Sequence, residues 1–216
     1  MADHAIFDIV RAGDVARLSA LIAADRTVVN TRSEKGYTPV LIALYHRKPD
    51  CLAVLLGARP VLDIWDAASV GATARVAELL DADPGLLNAY APDGFFPLAL
   101  AAFFGHPETV KLLLARGADV GQAARNPMKI QALHSAVTNS FETVKMLVDA
   151  GAPVNAKQDK GYAPLHEAVN RGDVEMTRYL LAHGADPKQQ NDDGKSAIGI
   201  AADKGNQDIL KLLKGA

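Results

Sequence analysis

A chain of 216 residues that is 49% hydrophobic can bury a substantial core, as one large domain or two small ones, and its composition excludes disorder. A net charge of −2 argues against a nucleic-acid partner, and the lone cysteine, Cys51, excludes an intrachain disulfide and a multi-cysteine zinc site. The first apolar run breaks at Asp8 and is not a secretory signal, and the longest uncharged run, Gly94 through Pro107, falls short of the ~18 residues of a membrane helix. The expectation is a cytoplasmic chain with no membrane and no nucleic-acid partner.

The chain opens on a helix pair over about 5–30, with no turn-rich segment before it, as expected of a terminal cap. At Lys35-Gly36 a turn appears, and Thr38-Pro39 then opens a helix, with Thr as N-cap and Pro in the first position. A second helix follows, carrying Cys51 among Leu52, Val54 and Leu55, and Gly57-Ala58 is expected to turn the chain back. The third pair, about 63–90, begins so soon after "RPVLDIW" that a full turn segment cannot fit. The fourth begins at "PDGFFPLALAAFFGHPE", which holds four of the six phenylalanines. There Phe96 stands where an N-capping Thr is expected and cannot cap. The fifth reads "RNPMKIQALH" instead of carrying an Asp-Gly turn, and its inter-helix "TNS" is one residue short. The sixth and seventh start at Gly161 and Gly194, and Lys204, Lys211 and Lys214 are placed to solvate the open end.

These segments repeat. The Gly-Ala pairs at Gly117, Gly151 and Gly184 recur at spacings of 34 and 33 residues. Gly13 with Gly71, Leu21 with Leu79, Asn30 with Asn88 and Gly36 with Gly94 are each 58 apart, a duplicated two-unit block. Such periods mark a solenoid.

The pattern around Gly161, Pro164, Leu165, His166, Ala168 and Gly172, then Leu180, Leu181, Gly184, Ala185 and Asp186, resembles the ankyrin repeat over nearly the whole chain. The resemblance implies an all-α repeat solenoid of about seven stacked antiparallel helix pairs joined by short β-hairpin-like fingers. Residues 1–216 would form a single domain, with units near 1–32, 33–62, 63–90, 91–122, 123–156, 157–189 and 190–216. It implies protein binding on a concave surface of fingertips and first helices, with a gap in that surface at the third unit. Carried onto this chain, it places Tyr37, Tyr45, His46, Phe95, Phe103, Phe104, Tyr162, Asn170, Arg171 and Lys195 on the binding face.

Catalytic motifs fail on inspection. His166-Glu167 begins a zinc-protease pattern, but Asn170 stands where the second His belongs. His134 and His166 read instead as finger hydrogen-bonders. "GKS" at 194–196 lacks the earlier glycine of a phosphate loop, because residue 189 is Gln189. The leading reading is a non-enzymatic, monomeric interaction module, without cofactor or metal, that binds a protein or peptide. The alternative is a small-molecule-binding or metal-dependent hydrolytic protein using His46 and His106 at the third-unit gap, and a plain repeat spacer is a third. The aromatic residues themselves leave two readings open: an exposed contact patch, or rings collapsed on one another or on Trp65.

Overall fold

Helices of six to eleven residues are too short to hold together alone in water. Here each is paired with its neighbour in sequence, and each pair is stacked on the next. The computed structural model describes residues 2–215, with side chains from residue 5. Among these are fourteen α-helices in seven antiparallel pairs: α1 (Ala2–Ala12) with α2 (Val15–Ala24), α3 (Pro39–Tyr45) with α4 (Pro49–Gly57), α5 (Ile64–Ser69) with α6 (Thr73–Ala82), α7 (Pro97–Phe103) with α8 (Pro107–Ala115), α9 (Ala132–Val137) with α10 (Phe141–Asp149), α11 (Pro164–Arg171) with α12 (Val174–Ala182), and α13 (Ala197–Asp203) with α14 (Gln207–Lys214). Lys204, Lys211 and Lys214 are exposed at the end of the stack, as expected.

The first helices begin in different ways. Thr38 Oγ1 accepts the Leu41 N–H (3.1 Å) and Ser196 Oγ accepts the Gly199 N–H (3.3 Å). In α11 the ring does the work: His166 Nδ1 accepts the Ala163 N–H (3.0 Å), so the proton sits on Nε2, which donates to Gln189 O (2.9 Å). His134 repeats this with Gln131 N–H (3.3 Å) and Ala156 O (3.0 Å). The two histidines therefore do more than close their own fingers; each ties a helix start to the loop that leads into the next unit. Phe96 makes no cap, as expected, and its ring is fully buried edge-on to Tyr90 at 6.2 Å.

The fingers close with backbone bonds such as Ala91 N–H to Phe95 O (2.7 Å) and Asn191 N–H to Lys195 O (3.0 Å). Successive fingers are also bonded to one another. Arg125 N–H donates to Gly94 O (2.8 Å), Asp159 N–H to Met128 O (2.8 Å) and Asp192 N–H to Lys160 O (3.0 Å). On the opposite side, Asn30, Asn88 and Asn155 each accept a backbone N–H from the next unit, at Val61, Asp119 and Asp186 (2.7, 3.0 and 2.8 Å).

Two expectations change. Gly57 stays inside α4, and the left-handed residue that reverses the chain is Arg59 (φ 56°). Arg26 donates twice to Ala58 O (3.1 and 3.0 Å), which satisfies the helix end, and Arg59 stands where Gly117 stands 58 residues later. In the second unit the inter-helix turn is made by Arg47 (φ 52°), where Gly105, Gly172 and Gly205 serve elsewhere. The gap at the third unit is also bridged. No finger precedes α5, but the finger of the second unit reaches that of the fourth: a Cβ on Gly36 would lie 2.9 Å from Pro92 Cγ.

The buried apolar residues form two clusters. One runs from Ile6 to Ala58 and the other from Ile64 to Leu213, so the division falls between α3–α4 and α5–α6. Polar contacts cross it: Thr38 Oγ1 donates to Asp66 Oδ1 (2.6 Å), and Arg32 pairs with Asp63 (2.7 Å).

The finger row sets the tolerance of its glycines. A Cβ on Gly94 would meet Arg125 O at 2.5 Å and one on Gly161 would meet Asp192 N at 2.8 Å, whereas Gly194 faces open space. All three have positive φ. Gly194→Ala is expected to cost about 1 kcal/mol from backbone strain alone. Gly94→Ala and Gly161→Ala should each cost at least about twice that, because the neighbouring finger must also move. Urea denaturation of the three variants checks the ordering.

Candidate functional site

The aromatic residues converge because the third unit is small where its neighbours are large. Tyr45 ends α3 and Phe103 ends α7; the corresponding residue of α5 is Ser69, fully buried. Tyr45 and Phe104, two units apart, therefore stack with centroids 6.0 Å apart and planes at 29°. Tyr37 meets Tyr45 edge-on at 6.3 Å, and Phe103 meets Phe104 edge-on at 5.0 Å. Offset and edge-on geometries are the favourable ones for aromatic pairs. The Tyr45 hydroxyl donates to Asp93 Oδ2 (2.6 Å), whose other oxygen accepts the Phe95 N–H (3.1 Å). Burial first, then this bond, holds the Tyr45 hydroxyl far above the usual phenol range.

Both readings of the rings hold in part. They do lie on one another, but Phe103 remains 46% exposed. Trp65 takes no part in the row; its Nε1–H donates to Ala89 O (3.0 Å). A cavity of about 220 Å³ opens beside them, lined only by Tyr45, Phe95, Leu100, Phe103, Met128 and Ile130. Met128 and Ile130 escape the repeat pattern. The signal for them is the fifth finger "NPMKIQ", which carries Met128 where the fourth carries Asp93 and Ile130 where the fourth carries Phe95.

A larger cleft of about 660 Å³ shares the Tyr45–Phe103 wall and adds Leu44, Arg47, Phe104, Thr138, Asn139 and Arg171. Arg171 thus joins the rings from two units away. The Asn139 side-chain amide donates to Phe103 O and fixes that end of α7. His46 faces a different cleft, of about 520 Å³, with Tyr37, Phe7 and Lys35. Tyr162 sits edge-on to His166 at 5.7 Å, and Lys195 pairs with Asp203 at 2.5 Å. Asn170 is exposed. Tyr162, Asn170 and Lys195 line none of these three clefts.

His106 is not beside His46. Its Nε2 lies 2.9 Å from Ser69 O, and its ring covers Gly71. Among the described residues no three His, Cys, Asp or Glu side chains are grouped to hold a metal, and no helix is long and apolar enough to cross a membrane. Cys51 is buried, and burial pushes its thiol pKa up.

A second electrostatic anomaly is Asp66 on α5. It is 1% exposed, and burial, reinforced by nearby Asp63, pushes its pKa up to about 7. Thr38 serves it with the hydroxyl that also caps α3.

The sequence profile described as "Ankyrin repeats (3 copies)" matches residues 64–158 and again 151–216. This chain belongs to the ankyrin-repeat family. Ankyrin repeats mediate contacts between proteins. The chain is 31% identical over 180 residues to the B-cell lymphoma 3 protein homolog of Mus musculus, covering 82% of this chain and 35% of that protein. It is 34% identical over 146 residues to a transient receptor potential cation channel subfamily A member 1 homolog of Caenorhabditis elegans, covering 67% and 12%. It is 36% identical over 97 residues to protein phosphatase 1 regulatory subunit 27 of Homo sapiens, covering 44% and 62%. The chain therefore spans only part of each of these relatives.

Two predictions follow from the rings and the buried carboxyl. Phe103→Ser should change stability by less than about 0.5 kcal/mol, whereas Phe104→Ala, which removes the stack, should cost ~1–2 kcal/mol; thermal melts distinguish them. Asp66 binds its proton more tightly in the native state than in the unfolded chain. Stability from this group is thus highest in acid and falls by up to ~4 kcal/mol as pH rises from about 4 to about 7. His134, pushed down to about 4 by burial, has the opposite sign: its contribution is lost as pH falls from about 6.5 to about 4. The two oppose each other in wild type. Asp66→Asn is expected to be more stable than wild type near pH 8 and to lose stability near pH 5, exposing the histidine slope in urea titrations.

Proposed function

We propose that this chain is a non-enzymatic interaction module, working as one monomeric domain, that holds a protein or peptide on the face formed by its fingers and first helices. The observation that carries the reading is the row Tyr37–Tyr45–Phe104–Phe103 ending in a half-exposed phenylalanine beside an apolar cavity. Exposed aromatic clusters with polar rims are what interface centres are made of. His46 and Phe95 extend the face beside the rings, and Tyr162, Asn170, Arg171 and Lys195 supply its polar C-terminal edge. The relative named as a regulatory subunit supports a role exerted through binding.

Affinity capture followed by mass spectrometry tests this, comparing wild type with Tyr45→Ala combined with Phe103→Ser. The expected result is a partner retained by wild type and lost from the variant, with the variant's fold verified by circular dichroism. Recovery that is absent, or equal for both proteins, would refute it.

A further inference from the structure

Two features of the aromatic face bear on what kind of segment it takes. The first is that the 220 Å³ cavity and the 660 Å³ cleft are two sides of one wall, Tyr45 and Phe103. One side is wholly apolar. The other carries two guanidinium groups, from Arg47 and Arg171, and no carboxylate. Neither arginine has an ion-pair partner among the described residues. Lys129 adds a third exposed, unpaired cation, set in sequence between the cavity residues Met128 and Ile130. On a chain of net charge −2, two guanidinium groups on one cleft wall that carries no carboxylate are a local arrangement and not a bulk property.

The second feature is where these cations are placed. Arg47 (φ 52°) and Lys129 (φ 50°) are left-handed. In the fourth unit the corresponding residues are Gly105 and Gly94, at φ 76° and 82°. A side chain there carries a backbone cost that glycine avoids. Two glycine positions of the repeat thus carry cations here, Arg47 in the wall of the cleft and Lys129 next in sequence to the cavity residues Met128 and Ile130.

We propose that this site takes an acidic, apolar segment of a partner protein: one bulky apolar side chain enters the cavity, and neighbouring carboxylates meet Arg47, Arg171 and Lys129. Charge complementarity selects this occupant, since guanidinium groups hold carboxylates with paired hydrogen bonds while the apolar side chain supplies the buried anchor. The proposal rests on the reading of this face as the binding surface and adds the chemistry of what binds.

The test uses two pools of short fluorescent peptides, each with one Leu, Met or Phe, flanked by Asp and Glu in one pool and by Lys and Arg in the other. Fluorescence anisotropy is read against wild type, Arg47→Gly, Arg171→Glu and Phe103→Ser. The acidic pool is expected to bind at least about tenfold more tightly than the basic pool and to weaken as salt is raised. Each variant should weaken it by about tenfold. Arg47→Gly should do so while raising the melting temperature, which separates lost recognition from lost folding. Preference for the basic pool, or acidic binding unmoved by the variants, overturns the proposal. If in that case binding is instead lost on Tyr37→Ala with His46→Ala, the face still binds protein and only the assigned chemistry fails. If neither pool binds and sedimentation shows a dimer abolished by Phe103→Ser, the occupant is a second copy and the proposal fails. Binding of neither pool by a monomer defeats this proposal and counts against the binding-face reading as well.

Discussion

None of these helix pairs can bury its apolar face by itself, so every pair depends on contact with its neighbours. That dependence explains why polar groups that tie one unit to the next matter as much as the leucines. Finger carbonyls accept amides from the following finger, Asn30, Asn88 and Asn155 reach forward on the other side, and His134 and His166 bind a helix start to the next loop. The same dependence makes the third unit consequential. Without a finger of its own, it lets the second and fourth fingers touch, and with only Ser69 at the end of α5 it lets Tyr45 stack on Phe104.

The candidate site is thus a product of an omission. A regular stack would space aromatic rings of successive units along the face as separate contacts. Here rings from two non-adjacent units share a wall between an apolar cavity and a cationic cleft. Asp93 anchors the arrangement by accepting the Tyr45 hydroxyl, while Asn126 Nδ2 holds the Asp93 carbonyl from the fifth finger (2.9 Å).

Much of the fold was readable in the sequence because the repeat rests on local chemistry. Thr38-Pro39 announces a helix start, Gly105 and Gly172 announce stops, and the short "RPVLDIW" announces a missing finger. What escaped depends on contacts between units. Periodicity cannot show that a missing finger brings its neighbours together, nor that Met128 and Ile130 complete a cavity begun by Tyr45 and Phe95. Arg59 holds the turn at the position of Gly117, 58 residues on, and a distant side chain, Arg26, satisfies that helix end. Asp66 was invisible for a related reason: its burial is set by packing between units, and its hydroxyl partner, Thr38, belongs to another unit. The nearness of Arg171 to Phe103 and Phe104 likewise comes from the stacking alone.

The division of the apolar interior has a dynamic consequence. In a linear array, stability is a sum of unit terms and neighbour terms, and opening begins where a neighbour term is weakest. Between α3 and α5 the buried clusters are not continuous, and the coupling is carried by Leu62 and Val70 at their edges, the Tyr45–Phe104 stack, a hydroxyl–carboxyl bond and a half-exposed ion pair, where other junctions share continuous apolar contact. The first two helix pairs therefore form the cooperative segment that can fray from the remaining five as a unit. Because Tyr37, Tyr45 and Arg47 belong to that segment while Phe103, Phe104 and Arg171 belong to the rest, anything bound across the wall also staples the two halves of the array together.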